Sequence, residues 1–345
     1  LMMSLWDALR MNMMISYQEL VRTFLKTMVI FRIIRKLIVY GTGRKEGTKL
    51  YDGYVQLNGQ EANDYISKII ASQKPVMVAK FGTIELNALV SHLCNKQESY
   101  SLKDYVDYFR GEKPTLWWKI KIDSLCSNAG FFPNDSSLLE NFYQVYHQAI
   151  KNIDVLGSYI YNEKYFAQDL VNSVKVDLDG YYAPFLYNRP WTKKLEGRKV
   201  LVIHPFIDEI KRQYANREKI WSDTDVLPNF ELLTYKPIVS MLDKKTEFKN
   251  WFEALEKMQS DIKKIDFDVA IIGCGAYGLP LASFVKNLGK QSIHLAGWTQ
   301  VLFGIKGKRW DDLPQISKFY NDHWIRPGQN TKVEGFTKIE NGCYW

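Results

Sequence analysis

The sequence predicts an α/β fold, with a mostly parallel sheet and helices on both faces. Four short apolar segments have the character of buried strands and lie within Pro75–Gly82, Lys199–Pro205, Phe267–Gly273 and Ser292–Ala296. The first three are each followed by a segment with helical spacing, and strands that alternate with helices pair in parallel. At 345 residues and 46% hydrophobic, the chain has enough apolar material for such a core. The expected arrangement is Rossmann-like.

The elements follow one another in a simple order. A helix is expected over Asn63–Ser72, the first strand precedes a glycine turn, and Glu85–Leu93 opens the next helix. The stretch around residues 101–165 is rich in aromatic residues at helical spacing and is expected to be a helical insertion. After the second strand a helix is expected to start near Asp208, and after the third strand a helix is expected to run to Leu288.

Residues 1–49 are expected to form a basic arm ahead of a single α/β domain, residues 50–345. The arm holds nine Lys or Arg residues against three acids, a local charge of +6 out of the total of +8. Because the basicity is local and no nucleic-acid-binding motif is found, nucleic acid is not an expected partner. Cys94, Cys126, Cys274 and Cys343 lie far apart without a Cys-x-x-Cys pair, which favours a reducing compartment.

Between Ser16 and Tyr40 the arm has the pattern of a basic amphipathic helix. Uninterrupted apolar runs reach four residues, whereas a transmembrane helix needs about 20, so neither membrane insertion nor export is expected. One interpretation is a helix lying on anionic lipid, which gives a cytoplasmic protein peripheral at the inner face of the cell membrane. The other is a helix docked on the protein's own core.

The segment Gly273-Cys-Gly275-Ala-Tyr-Gly278 has the spacing of a dinucleotide-binding turn between a strand and a helix. Glycine allows close backbone approach, and the N–H groups of a helix N-terminus attract phosphate. The next strand should end in an acidic residue for the ribose of NAD, yet it reads Ile293-His-Leu-Ala-Gly297. A sugar nucleotide or another phosphate ligand is therefore favoured, NAD is not expected, and a purely structural turn is the alternative.

A second candidate segment is Gly304-Ile-Lys-Gly-Lys-Arg-Trp310-Asp-Asp312, in which Lys306, Lys308 and Arg309 alternate with glycines. We expect a flexible cationic loop at the carboxyl edge of the sheet, where Lys and Arg neutralise a departing diphosphate. Trp310 is expected to be exposed. Its ring and the carboxylates of Asp311 and Asp312 are expected to help recognise the ligand. An ordinary solvated loop is the alternative.

Two further groups of polar residues follow predicted strands, the position where ligands bind in open α/β sheets. Lys80, Gly82 and Glu85 follow the first, and Glu85 is a candidate base or divalent-ion ligand unless it only favours a helix N-terminus by charge. His204 follows the second strand, and the two interpretations of it are a catalytic and a structural histidine.

At these motifs, residues 60–320 resemble the GT-D-type glycosyltransferases and related bacterial polysaccharide-biosynthesis proteins. The family has Arg-(Tyr/Phe)-Gly-Asp-Gly-Glu after a strand, and this chain reads Lys80-Phe81-Gly82-Thr83-Ile84-Glu85, with Thr83 in place of the first acid. Four further segments resemble the second half of the pattern of the polysaccharide-biosynthesis proteins. They are Pro190-Trp-Thr-Lys193, Lys199–Phe206 and the two glycine-containing segments. The resemblance implies a nucleotide-sugar site and a Mn²⁺ or Mg²⁺ ion, for which Glu85 is the one matching acid.

The expected activity is transfer of a sugar from a nucleotide-sugar donor to a saccharide or polyprenyl-linked acceptor. Glu85 and His204 are the catalytic candidates. The expected donor-binding residues are Lys80, Gly82, Thr83, Gly273, Gly275, Gly278, Lys306, Lys308, Arg309 and Asp311. A non-catalytic nucleotide-binding or assembly protein of the same pathway is the alternative. A Rossmann oxidoreductase or methyltransferase is a third interpretation that rests on the glycine turn alone.

Overall fold

The computed structural model describes residues 22–23, 25–43, 54–118, 122–243, 246–332 and 335–345. Within these ranges the centre of the molecule is one parallel sheet. Its strands are β1 (Val76–Ala79), β2 (Val155–Gly157), β3 (Val174–Val176), β4 (Lys199–Ile203), β5 (Glu231–Tyr235), β6 (Val269–Ile272) and β7 (Gln291–Ile293). Their order is β3-β2-β1-β7-β6-β4-β5, and every pair is parallel.

Helices alternate with these strands along the chain. They are α1 (residues 25–41), α2 (Gly59–Ala71), α3 (Thr83–Asn95), α4 (Leu102–Phe109), α5 (Asp123–Ala129), α6 (Leu139–Ile150), α7 (Leu178–Tyr182), α8 (Ile207–Ala215), α9 (Arg217–Ile220), α10 (Trp251–Ile262), α11 (Gly278–Asn287), α12 (Trp298–Leu302), α13 (Lys308–Asp311) and α14 (Pro314–Ser317). The predicted boundaries near α2, α3, α8 and α11 are close to those observed.

The sheet is covered on both faces, as the sequence predicted. Side chains along a strand alternate between faces, so Met77 of β1 lies in one apolar core and Val78 lies in the other. The first core is completed by helices that include α3, α6, α10 and α11. The second is completed by helices that include α2, α7 and α8. The Rossmann-like α/β prediction is therefore confirmed.

The prediction of a helical insertion around residues 101–165 is wrong for its last part. Residues 155–157 form β2, which lies between β1 and β3 inside the sheet. Helix α6 packs against α11 and belongs to the main core. Strands β2 and β3 are three residues long, too short for a period of two to show, and β5 was missed as well.

Helix α1 docks on a small aromatic cluster beside the main core. Phe31 makes edge-to-face contacts with Tyr105, Phe109 and Trp117, at centroid distances of 5.1–6.0 Å. The Arg35 guanidinium is buried and donates hydrogen bonds to the carbonyl oxygens of Tyr108, at 2.9 Å, and Lys113. The part of the predicted arm helix that precedes residue 22 lies outside the described residues. Nowhere in the described ranges does a helix have the length and apolar character that crossing a bilayer demands.

The two faces of the sheet should respond strongly to loss of core volume. Val202 in β4 is fully buried, whereas the side chain of Val171 is 69% exposed. We expect Val202→Ala to lower the free energy of unfolding by about 2 kcal/mol, from lost burial and the cavity left behind. Val171→Ala, the matched control, should change it by less than about 0.5 kcal/mol. Urea unfolding of both variants checks this, and equal effects would contradict the assigned core.

Candidate ligand site

A cavity of about 460 Å³ lies at the carboxyl ends of β1, β4, β6 and β7. From β1 the chain continues to β2 and β3, toward one edge of the sheet. From β4 it continues to β5, at the other edge. The cavity lies between these two groups of strands, where the strand order changes direction. Among the described residues, the charged, histidine and main aromatic side chains in its lining are Lys80, Glu85, Tyr159, Tyr182, His204, Lys236, Tyr277, His294, Trp298, Arg309, Lys332, Tyr344 and Trp345. Four cations thus face one carboxylate.

The cavity brings together many of the residues that the sequence singled out. Those in its lining are Lys80, Gly82, Thr83, Glu85, His204, Gly273, Gly275 and Arg309. The remaining four candidates, Gly278, Lys306, Lys308 and Asp311, are outside the lining.

The turn after β1 is held by a chain of hydroxyl groups. The Tyr159 hydroxyl donates to the carbonyl oxygen of Phe81 at 2.8 Å, so the Thr83 hydroxyl, 3.2 Å away, donates to Tyr159. The Lys80 ammonium lies 5.3 Å from the centre of the Tyr159 ring, within reach of a cation–π contact. Tyr159 follows β2, which lies in the stretch that the sequence predicted to be a helical insertion. That stretch therefore supplies a residue of the site.

The Glu85 carboxylate folds back over the start of α3. A Cβ at Gly82 would lie 1.9 Å from Glu85 Oε2, so a residue with a side chain could not stand there unless the carboxylate moved. A carboxylate in the first turn of a helix is also favoured by the helix dipole. The two interpretations of Glu85 are therefore compatible, because the same side chain lies at the helix N-terminus and lines the cavity.

The donor set at this turn does not fit Mn²⁺ or Mg²⁺. Such ions prefer about six oxygen ligands, commonly including more than one carboxylate or a substrate phosphate. Here Glu85 is the one carboxylate among the described lining residues, the Thr83 hydroxyl is engaged with Tyr159, and Lys80 adds a positive charge. The part of the chain that the structure describes contains no group of three or more metal-ligating side chains.

His204 is a buried, neutral hydrogen-bond donor. The backbone N–H of Phe206 donates to His204 Nδ1 at 3.1 Å, so in the neutral ring the proton is on Nε2. Burial lowers the pKa of His204 to about 3, because desolvation disfavours the imidazolium. At neutral pH this tautomer can donate a hydrogen bond to a ligand, but it has no free nitrogen to act as a base.

His294 was missed as a site residue, although it directly follows β7 as His204 follows β4. Its Nδ1 lies 3.1 Å from the carbonyl oxygen of Lys80 and therefore carries the proton. Nε2 is then an acceptor, buried and without a hydrogen-bond partner among the described residues. Burial, with a smaller effect of the Lys80 charge, lowers the pKa of His294 to about 3. The signal in the sequence is a histidine that directly follows an apolar strand.

The glycine turn after β6 is shaped by the protein's own atoms. A Cβ at Gly273 would lie 2.3 Å from the carbonyl oxygen of Ala296, and one at Gly278 would lie 2.2 Å from His294 Nε2. Gly275 has φ +58°, and its Cβ would lie 2.6 Å from the carbonyl oxygen of Ala129. Each glycine is thus required by close packing. The spacing alone does not identify a phosphate site, although Gly273 and Gly275 do line the cavity.

The predicted flexible loop around residues 304–312 is instead a structured segment. Ile305 forms a β-bridge with Ile325, and Lys308–Asp311 is one helical turn, α13. The prediction of an exposed Trp310 is wrong: its ring is fully buried, 5.7 Å from that of Trp298. An indole of this size gains more from burial than from exposure at a surface.

Of the charged residues in this segment, only Arg309 reaches the cavity. Its guanidinium lies 4.8 Å from the centre of the Tyr344 ring. Lys306 lies over the ring of Tyr320, and Lys308 is exposed outside the cavity. The Asp311 carboxylate pairs with Arg326 at 2.8 Å.

The lining also contains buried polar atoms without a hydrogen-bond partner among the described residues. They are Asn128 Oδ1, His294 Nε2, Gln300 Oε1 and Trp345 Nε1. Leaving a buried polar atom unpaired costs about 1–3 kcal/mol. These atoms include three acceptors and one donor. These residues come from parts of the chain that are far apart in sequence.

The steric role of Gly275 can be separated from its backbone conformation. Gly289 also has positive φ, +81°, but a Cβ there would meet no atom within 4 Å. We expect Gly289→Ala to cost about 1–2 kcal/mol in unfolding free energy, from the left-handed conformation alone. Gly275→Ala should cost clearly more because of the contact with Ala129. Thermal unfolding of the two variants checks this, and equal losses would contradict the packing described.

The buried histidines should make stability fall in mild acid. In the unfolded chain each histidine gains a proton below its ordinary pKa of 6.5, whereas His204 and His294 in the folded protein stay neutral to about pH 3. Stability is therefore lost as pH falls from 6.5 toward 3, by up to about 1.4 kcal/mol per pH unit for each histidine. His204→Asn, whose amide oxygen can accept from Phe206, should reduce this slope by one such increment.

Denaturant titrations at several pH values measure the slope. His323→Asn makes the same substitution at an exposed histidine and is the matched control. A His204→Asn slope identical to that of the wild type would show that the buried ring does not contribute in this way.

Comparisons with protein-family models, with curated proteins and with solved structures find no match to this chain. The resemblance seen in the sequence motifs is therefore neither supported nor contradicted by a relative.

Proposed function

We propose that the protein is a glycosyltransferase that binds a nucleotide sugar in the central cavity. The observation that carries the proposal is a cavity at the carboxyl edge of a parallel sheet in which, among described residues, four cations face one carboxylate. Ligands of open α/β sheets bind at this edge, and a multiply charged diphosphate matches the excess of positive charge. The motif resemblance supports a donor of this class.

The aromatic part of the lining suits the rest of such a donor. Tyr182 and Trp298 stack with ring centroids 3.8 Å apart and an interplanar angle of 17°. Trp345 and Tyr344 add further ring surface. Nucleobases and sugar rings both have faces that pack well on aromatic side chains.

In the proposed reaction, a hydroxyl oxygen of the acceptor attacks the anomeric carbon of the donor sugar. The new glycosidic bond forms as the bond between that carbon and the diphosphate oxygen breaks, and the nucleotide leaves with the electron pair. Glu85 accepts the proton of the attacking hydroxyl. Lys80, Lys236, Arg309 and Lys332 stabilise the charge that grows on the leaving group, and His204 donates a hydrogen bond from Nε2.

The proposed acceptor is a saccharide or a polyprenyl-linked saccharide. This part of the proposal is supported by the resemblance to transferases of bacterial surface-polysaccharide biosynthesis. A cavity of about 460 Å³ is large enough for part of a nucleotide sugar, with the acceptor approaching from solvent.

Donor binding should depend on the cavity cations and not on nearby surface cations. A donor that binds only the folded state raises the melting temperature, so a thermal-shift screen with UDP-, GDP-, CMP- and TDP-sugars, with and without manganese, identifies the nucleotide. We expect Lys80→Met and Arg309→Met each to weaken binding of that donor about tenfold or more, through loss of a charge-assisted contact. Lys308→Met, the matched control, should bind as the wild type does. Absence of a shift with every donor would contradict the proposal.

Turnover is tested separately, by release of free nucleotide from the donor identified in the screen. Glu85→Gln keeps the shape of the side chain and should retain donor binding while losing at least about a hundredfold in rate, as removal of a general base does. Donor binding without turnover in the wild type, in the presence of saccharide acceptors, would instead favour a non-catalytic nucleotide-binding protein.

A further inference from the structure

Helix α1 has an apolar face that its contacts with the body leave exposed. Phe31 and Arg35 point toward the aromatic cluster, as described above. The opposite side carries large exposed aliphatic residues, of which Ile33 is 51% and Leu37 66% exposed. The other exposed apolar residues of the helix are Leu25, Val29, Ile30, Ile34, Ile38 and Tyr40. Isolated exposed apolar residues are ordinary, but a row along one helix marks an interaction surface.

The neighbouring helix α4 also carries exposed apolar residues. Its Tyr105 and Phe109 contact Phe31 of α1, which places the two helices side by side. Leu102 and Val106, one turn apart on α4, are 86% and 44% exposed. We call the exposed apolar residues of α1, together with Leu102 and Val106, the α1–α4 surface.

The cations of α1 divide between the protein and the solvent. Arg35 is buried, and the Arg32 guanidinium lies 5.6 Å from the centre of the Trp118 ring. Lys26 and Lys36 are exposed, and by helical spacing they lie on the same side as Ile33 and Leu37. Residues 22–43 contain no acidic residue, so the exposed face is apolar and positively charged.

We propose that the α1–α4 surface docks the protein on the surface of an anionic lipid bilayer. Aliphatic side chains would enter the boundary between headgroups and acyl chains, while Lys26 and Lys36 remain among the anionic headgroups. A second copy of the chain is a poorer occupant, because a two-fold contact would bring two positively charged faces together. The contact does not require the cavity to bind a nucleotide sugar. It would nevertheless hold the enzyme where a lipid-linked acceptor is found.

The test is co-sedimentation of the full chain with phosphatidylcholine vesicles that contain about one third phosphatidylglycerol. The double variant Ile33→Ser with Leu37→Ser, and the charge reversal Lys26→Glu with Lys36→Glu, should each lower the fraction bound, expressed as a partition coefficient, about tenfold or more. Val171→Ser, at an exposed valine outside α1 and α4, is the matched control and should bind as the wild type. Vesicles of phosphatidylcholine alone should bind the wild type much more weakly.

Equal partitioning of the wild type and both double variants would overturn the proposal. It would also be overturned if the serine variant turned a dimer into a monomer in sedimentation velocity while vesicle binding stayed the same, since the surface would then join two copies. Melting temperatures of the variants establish that they are folded. Donor binding, measured on the same samples, separates failure of this proposal from failure of the proposed activity.

Discussion

The close approach of backbone segments at the carboxyl ends of β4, β6 and β7 is the constraint on which the site depends. The Cα of Gly273 lies against the carbonyl of Ala296, and Gly278 lies against the imidazole of His294. Side chains at these positions would push the strand ends apart and close or distort the cavity between them. The main role of the glycine turn is therefore to let neighbouring loops pack closely together. Where the turn lines the cavity, the wall is made of backbone.

Hydrogen bonds to the backbone fix the tautomers of two histidines that are buried in that wall. His204 is held by a backbone N–H and His294 by a backbone carbonyl, so one ring is set as a donor at its free nitrogen and the other as an acceptor. Both rings remain neutral over the physiological range because desolvation disfavours their charged forms. The positive charge of the site thus comes from Lys and Arg side chains.

The sequence predicted the central part of the fold well, because β1, β4 and β6 are continuous apolar runs between helical segments. The sequence predicted the site in part. Residues that directly follow the apolar strands, such as Lys80 and His204, do lie in the cavity lining. It failed where tertiary packing decides. Trp310 was expected at the surface because cations and acids surround it in sequence, yet its ring fills space beside Trp298. Lys236 and Lys332 join the site only through the folding of distant loops.

The excess of cations in the cavity has a consequence for the kinetics of the proposed reaction. A nucleoside diphosphate product keeps the charged group that the lysines and Arg309 hold, whereas the transferred sugar is uncharged or nearly so. In the proposed reaction the product carries the additional negative charge that forms on the leaving group, so the cations would bind it at least as well as the donor and would slow departure of the nucleotide. Added salt would screen this attraction and speed that departure, while slowing the capture of fresh donor. The rate would then be greatest at an intermediate ionic strength, where the two effects balance.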